Sequence, residues 1–334
     1  MVAAVLTEPR DLDRSELRRA LESRWGLRDA QLDYLAVGFG SHHWSAIDSR
    51  GKRSFVTVDD LEADSRNVAD TDSAFATLER AFRTAAVLRD NATLEFVVAP
   101  LFDREGAVIH RLSHRYAMTV SPLIDGQSSE YGPYERLDDR RVMGALLGRL
   151  HAATEQVPTD LPRREDFALP SRAALVEALH DLDRNWASGP FAEPTRKLLQ
   201  DSAHELERRL QEYDELAAGV RESSDSWVIT HGEPHRANVI RDPQGGVHLV
   251  DWDTTLIAPR ERDLQMVLDQ ALTGWDEYIQ LAGVASLNHE ALQLYRSWWE
   301  LADIAVFVAG FRRPHERTED TVASWEILAR NLAG

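Results

Sequence analysis

The chain of 334 residues contains no cysteine. That excludes disulfides, thiol nucleophiles and thiolate metal sites, and it fits a reducing cytoplasm. Lysine is almost as scarce: Lys52 and Lys197 stand alone, and nearly all basic charge is arginine. No apolar run approaches the roughly 18 residues of a membrane span. The opening MVAAVLTEPRDLDRSELRRA meets acids too early and too often for an export signal. Positive charge is short overall, with 38 Lys plus Arg against 56 Asp plus Glu and a formal charge of −18. Such a surface aids solubility, repels nucleic acid and anionic lipid, and favours cationic partners. Repeats and low-complexity tracts are also missing. What is present is 43% apolar, with nine tryptophans. Such a chain can bury one large core or two medium ones.

Periodicity divides the chain. Leu17, Leu21 and Trp25 recur at helical spacing within 11–30. Two β-rich runs, Tyr34 to Ile47 and Ser54 to Val58, flank the turn Asp48-Ser49-Arg50-Gly51 and predict a hairpin. Phe75 to Leu88 predicts a helix, and LEFVVAPLFD and GAVIHRLSHRYAMTVSPLI predict further strands as far as Pro122. Beyond DGQSSEYGPY the character turns helical. Val142, Leu146 and Leu150 lie four apart, as do Leu206 and Leu210, and the last 70 residues are helical and rich in tryptophan. One short β segment, Trp227 to Trp252, interrupts these helices. The reading is α+β: a small N-terminal β-sheet lobe over 1–120, a hinge over 121–128, and a larger, mostly helical lobe over 129–334.

The β segment carries the chemistry. In ITHGEPHRANVI, Gly232 and Pro234 fix a sharp turn after a strand, and Glu233 precedes Asn238 by five residues. The run GGVHLVDWD reads as the second arm of a hairpin that delivers Asp251 beside that loop, with Asp253 on the same strand face. Magnesium takes hard oxygen ligands and keeps several waters. An amide oxygen from Asn238 and a carboxylate from Asp251 therefore suffice to hold it with phosphates, while another carboxylate orients a hydroxyl. His231 and His235 lie four apart, but on a strand-to-turn segment that lacks the helix a zinc pair needs.

HGEPHRANVI followed by VDWDTTLIAPRERDL resembles the catalytic and metal segments of the aminoglycoside phosphotransferase and choline kinase family. VMGALLGRLHAAT is similar to the family helix ending in Leu-His, SPLIDGQS to its hinge, and VGFGSHHW stands where the nucleotide-covering loop lies. The resemblance covers nearly the whole chain in order. It implies a two-lobed protein-kinase-like fold and a small-molecule O-phosphotransferase that uses ATP or GTP with Mg²⁺. Asn238 and Asp251 would hold the metal. Glu233 would take the place of the catalytic aspartate, braced by His231, and Asp263 would anchor the loop. The nucleotide would meet Gly40 and Ser41 in the covering loop, Thr57 and Glu79 near its phosphates, and backbone at Ser121 to Leu123.

Two departures stand out. Glutamate at 233 is one methylene longer than aspartate, about 1.5 Å, so Glu233 reads either as the base or as a residue that only keeps the site charged. Thr57 stands where the family has a strand lysine, and Glu79 is left without that partner. Lys52 falls at the hairpin turn, and Arg53, Arg66 and Arg83 are the candidate replacements. The alternative to a kinase is a catalytically silent relative that binds a nucleotide or small ligand. His42 and His43 read as polar loop filler ahead of phosphate contacts. Trp298, Trp299 and Trp325 read as core or pocket wall. Asp181, Asp183, Glu300 and Asp303 read individually as charged helix faces, although a cationic aminosugar or amino-alcohol would suit such a rim. The acceptor, the nucleotide and the oligomeric state stay open at this point.

Overall fold

The computed structural model describes residues 7–38, 40–62, 70–222, 226–283 and 286–333. Arg66, and Phe39 of the glycine-containing loop, lie outside the described residues. Alternation of side chains sets the faces of an antiparallel sheet built from β1 (Gln31–Leu35), β2 (Ser41–Ile47), β3 (Arg53–Asp60), β4 (His110–Arg111) and β5 (Tyr116–Pro122), in the order β1-β2-β3-β5-β4. The register pairs Trp44 with Val56 and Val56 with Val120, so these side chains share one face with Leu32, Val58 and Met118. α1 (Arg14–Ala20) and the π-helical turn after it close this face with Leu17 and Leu21, both fully buried. The β2–β3 turn forms as expected. Asp48 accepts from the Arg50 and Lys52 amides at 2.9 and 2.8 Å, and Gly51 takes the left-handed φ of 78° that the turn requires.

α2 (Thr71–Asp90) starts at Asp70, whose carboxylate caps the Ser73 amide at 2.7 Å. Its buried residues Leu78, Phe82 and Ala85 belong to the same core as the helical lobe. The expected strand in LEFVVAPLFD does not form. Only Val97 makes a bridge, to Leu249. Pro100 lacks an N–H, and the backbone of this run is divided between partners. Phe96 and Val98 bond to Leu249 at 2.7 and 3.0 Å, and the Leu101 amide bonds to Val120 at 2.7 Å.

The second half is α3 (Leu137–Ala152), β6 (Arg163–Arg164), α4 (Arg172–His180), α5 (Ala192–Arg221), β7 (Val228–Thr230), β8 (Val239–Arg241), β9 (Val247–Leu249), β10 (Leu256–Ala258), α6 (Glu261–Val267), α7 (Trp275–Ala282), α8 (His289–Phe311) and α9 (Glu319–Ala333). α8 is apolar around most of its circumference, so it becomes the central post, packed on α4, α5, α6 and α9. β8 and β9 form a hairpin, and β6, β10 and β7 form a separate small sheet. The tryptophans expected as core or wall pack with other aromatic rings: Trp325 stacks on Phe191 at 5.6 Å, and Trp298 meets Trp299 edge-on at 5.4 Å. Among the described residues, no helix is long and apolar enough to cross a membrane.

The segment after β5 is stitched to the β8–β9 hairpin. Gln127 and Arg241 exchange backbone hydrogen bonds of 3.1 and 3.0 Å. Gly126 permits this approach, since a Cβ there would stand 2.5 Å from the Arg241 carbonyl oxygen. Gly126→Ala is therefore expected to destabilise the protein by about 1–3 kcal/mol. Gly310→Ala on α8 meets nothing within 4 Å, so it should be neutral or gain a few tenths of a kcal/mol. The melting temperature should drop in Gly126→Ala and hold or rise slightly in Gly310→Ala, and equal shifts would contradict the packing described.

Candidate active site

β7 delivers the chain into a turn that only glycine can make. Gly232 has φ 101°, and a Cβ there would run into the guanidinium of Arg262. That guanidinium is fixed by Thr230 Oγ1 at 2.9 Å and the Thr254 carbonyl at 3.1 Å. His231 is fully buried. Its Nδ1 accepts from the Glu233 amide at 3.1 Å, which leaves Nε2 to donate to the Val250 carbonyl at 2.8 Å. The ring sits edge-on to Trp252, centroids 4.6 Å apart. Burial pushes the imidazole down to about 4, so at neutral pH it is the uncharged tautomer that these bonds require. His231 staples the loop to the DWD segment and makes no move toward solvent. With both ring nitrogens engaged, it offers nothing to a zinc ion.

Asp263, at the start of α6, holds this arrangement from beneath. One carboxylate oxygen accepts from the Gly232 amide at 2.6 Å. The other accepts from the His231 amide at 2.9 Å and meets His151 Nε2 at 3.0 Å. His151 closes α3, and its Nδ1 meets the Tyr278 hydroxyl at 2.9 Å. Burial works to raise the Asp263 carboxyl, but the hydrogen bond and charge of His151, with His231 and Arg262, hold it below the ordinary value.

Glu233, Asn238 and Asp251 are brought together by backbone. The Asn238 side-chain N–H donates to the Glu233 carbonyl at 3.0 Å, which turns its Oδ1 end away and leaves it for another partner. The Asn238 carbonyl accepts from Val250 at 3.0 Å, so Asp251 follows directly beside it. β9 ends at Leu249, and Asp251 lies past it at φ 69° with an exposed side chain, not on a strand face as its spacing predicted. A non-glycine residue at that φ is strained. Among the described residues, no three His, Asp or Glu side chains gather to hold a metal by themselves. An amide oxygen and a carboxylate suit magnesium that shares its shell with phosphates and water.

The Glu233 side chain is half-buried, 3.7 Å from His235 Nε2. Burial presses its carboxyl upward, but His235 and the neighbouring His231 outweigh that and hold it below the usual range. Asp303 of α8 is buried, and burial followed by the nearby Glu233 charge raises its carboxyl. The other acids weighed as a rim have different neighbours: Asp181 pairs with Arg312 at 3.3 Å, Glu300 pairs with Arg209, and Asp183 is exposed. The segment between β5 and α3, which sequence reasoning passed over, fixes the loop that carries Glu233. Tyr134 donates to the Pro234 carbonyl at 2.7 Å, Arg236 reaches the Glu130 carbonyl at 2.7 Å and Glu135 at 2.6 Å, and Tyr131 meets His235 edge-on at 4.9 Å. YGPY was the available signal, two tyrosines in a short loop.

The residues expected around a nucleotide are placed as follows. Gly40 has φ 83°. The Ser41 hydroxyl donates to Asp59 at 2.8 Å. Thr57 Oγ1 lies 3.2 Å from His43 Nδ1. His43 is thus a β2 residue facing Thr57 across the strand pair, not loop filler. Glu79 pairs with Arg83 of its own helix at 3.5 Å. Ser121 pairs with Phe55 near the end of β5, and Leu123 follows directly after that strand. Of the candidate cations, Arg53 is bound to Asp125, Arg83 is shared between Glu79 and the Gly106 carbonyl, and Lys52 is exposed at its turn.

An antiparallel N-terminal sheet lobe followed by a mostly helical lobe that carries the loop and hairpin is the two-lobed protein-kinase-like fold. The chain belongs to the phosphotransferase enzyme family, whose model matches residues 51–301. Among curated proteins it is similar to Protein StrN of Streptomyces griseus, 31% identical over 246 residues that cover 71% of this chain and 72% of that one. Among solved structures it resembles spectinomycin phosphotransferase, APH(9)-Ia, crystallised with ADP and spectinomycin. There the TM-score is 0.72 at 16% identity, over 96% of this chain and 95% of that one. Amicoumacin kinase hAmiN, in complex with AMP-PNP, Ca²⁺ and Ami, gives a TM-score of 0.59 at 15% identity, over 96% and 93%.

The buried neutral His231 gives a pH signature. Its folded pKa of about 4 lies below the ordinary 6.5, so the unfolded chain binds the extra proton first. The stability it confers is complete above pH 6.5 and is lost as pH falls toward 4, on the order of 3 kcal/mol at about 1.4 kcal/mol per pH unit. The melting temperature should fall through that window, and less steeply in His231→Gln. A profile with the same slope in both would contradict the buried, uncharged ring.

Proposed function

We propose that the protein is a cytoplasmic kinase that transfers the γ-phosphoryl group of ATP or GTP to a hydroxyl of a small molecule, an aminoglycoside-like antibiotic or an amino-alcohol or sugar metabolite. The observation that carries this reading is the convergence of Glu233, Asn238 and Asp251 on one rigid loop and hairpin. The ADP and AMP-PNP bound by the structural neighbours, and the spectinomycin bound by one of them, support a nucleotide donor and an antibiotic-like acceptor.

In this reading Glu233 is ionised at neutral pH and accepts a hydrogen bond from the acceptor hydroxyl. The acceptor oxygen bonds to the γ-phosphorus as the bond to the bridging oxygen of the leaving diphosphate breaks, and Glu233 takes the hydroxyl proton. His231 and Tyr134 hold the backbone on either side of Glu233, which limits where its longer side chain can reach. Magnesium, held by Asn238 Oδ1 and the Asp251 carboxylate, would neutralise charge on the phosphate oxygens.

Glu233→Gln should lower kcat on the order of 10²- to 10⁴-fold while nucleotide affinity stays within a few-fold. Asp251→Ala should instead abolish magnesium-dependent nucleotide binding. Calorimetry with and without Mg²⁺, paired with a turnover screen over hydroxylated amines, reads both. A wild-type protein that binds Mg²⁺-nucleotide yet phosphorylates nothing would favour the silent alternative. A protein that binds neither ATP nor GTP at millimolar concentration would overturn the kinase reading.

A further inference from the structure

The sheet face turned away from α1 has its own charge pattern. Strand register puts Arg53, Phe55, Thr57 and Asp59 of β3 on it, opposite Ser45, His43 and Ser41 of β2, with Ala117, Thr119 and Ser121 of β5 alongside. At the β5 end it is closed, since Ala117 joins the core of α2. The basic groups at either end are committed elsewhere. Arg53 is bound to Asp125 at the hinge, and Arg111, opposite Ala117, lies over the Phe75 ring at 4.7 Å and pairs with Asp72 at 2.9 Å. Among the described residues of this face, that leaves His43 between them as the side chain with a ring nitrogen to offer.

His43 is set for one use. Its Nδ1 lies 3.2 Å from Thr57 Oγ1. With the threonine hydroxyl as donor, the ring proton sits on Nε2. Phe55 flanks the ring, centroids 5.0 Å apart and planes 31° apart. Gly38, at φ 82°, passes over Nε2 so closely that a Cβ there would stand 3.2 Å from it. The missing side chain at Gly38 therefore leaves room beside the donor, and the ring is half-buried.

We propose that His43 is a phosphate-contact residue of the nucleotide site, donating from Nε2–H to a phosphate oxygen, with Thr57 fixing its tautomer. This rests on the phosphotransfer reading above. Burial, with His42 adding to it, pushes the imidazole down to about 4, so the ring brings no charge of its own to an incoming nucleotide. It leaves neutralisation of the triphosphate to the metal side of the cleft. Nucleotide affinity should accordingly depend more steeply on Mg²⁺ than in a variant carrying a fixed cation at position 57.

The test is calorimetric binding of Mg²⁺-ATP and Mg²⁺-GTP to the full chain, with thermal melts alongside. His43→Ala should weaken binding about 10- to 100-fold, the scale of a hydrogen bond to a charged group. Thr57→Val, which keeps the packing but frees the tautomer, should weaken it several-fold. His43→Ala combined with Thr57→Lys should recover affinity, because an ammonium at this register replaces the donor directly. A purely structural role for His43 would give no such recovery. Wild-type affinity in a folded His43→Ala protein would overturn the assignment while leaving the kinase reading intact, and so would a folded double variant that fails to recover. A wild-type protein that binds neither nucleotide would sink both.

Discussion

Everything in the cleft depends on a carboxylate that never reaches solvent. Asp263 is fully buried, and an uncompensated charge there would cost several kcal/mol. It is stable because it receives the amides of His231 and Gly232 and a ring nitrogen of His151. Those three bonds join α3, α6 and the loop after β7 at one point. Once the two amides are fixed, the His231 ring has one place to go, between the Glu233 amide and the Val250 carbonyl. That placement in turn sets the distance from the acid of the loop to the acid past the hairpin. A longer side chain at Glu233 is therefore carried on a backbone that has little freedom to compensate for it.

Much of this was legible in the sequence, for local reasons. Gly232 and Pro234 announce a turn, the spacing from Glu233 to Asn238 is intrinsic to that turn, and the run from Gly245 to Leu249 can only return as a hairpin arm. The helical stripe from Val142 to Leu150 marks α3 and ends on the buried His151. What stayed hidden depends on contacts distant in the chain. LEFVVAPLFD has the composition of a strand, yet its backbone partners are Leu249 and Val120.

The adjacent histidines show the limit well. In sequence His42 and His43 are indistinguishable. The pleat sends them to opposite faces, His42 to the Tyr34 hydroxyl at 3.1 Å and His43 to Thr57. Which one matters is a question of parity, and parity becomes readable only once the register with β3 is fixed. The segment around Tyr131 and Tyr134 was missed for a related reason, since its partners Pro234 and His235 lie about a hundred residues further on.

The two backbone stitches across the cleft end on the same small element. Gln127 bonds to Arg241 on β8, while Phe96 and Val98 bond to Leu249 on β9. The β8–β9 hairpin is thus a common anchor for the segment before β4 and the segment after β5. Asp251, two residues beyond Leu249, therefore takes its position from the same element to which both of these segments are tied.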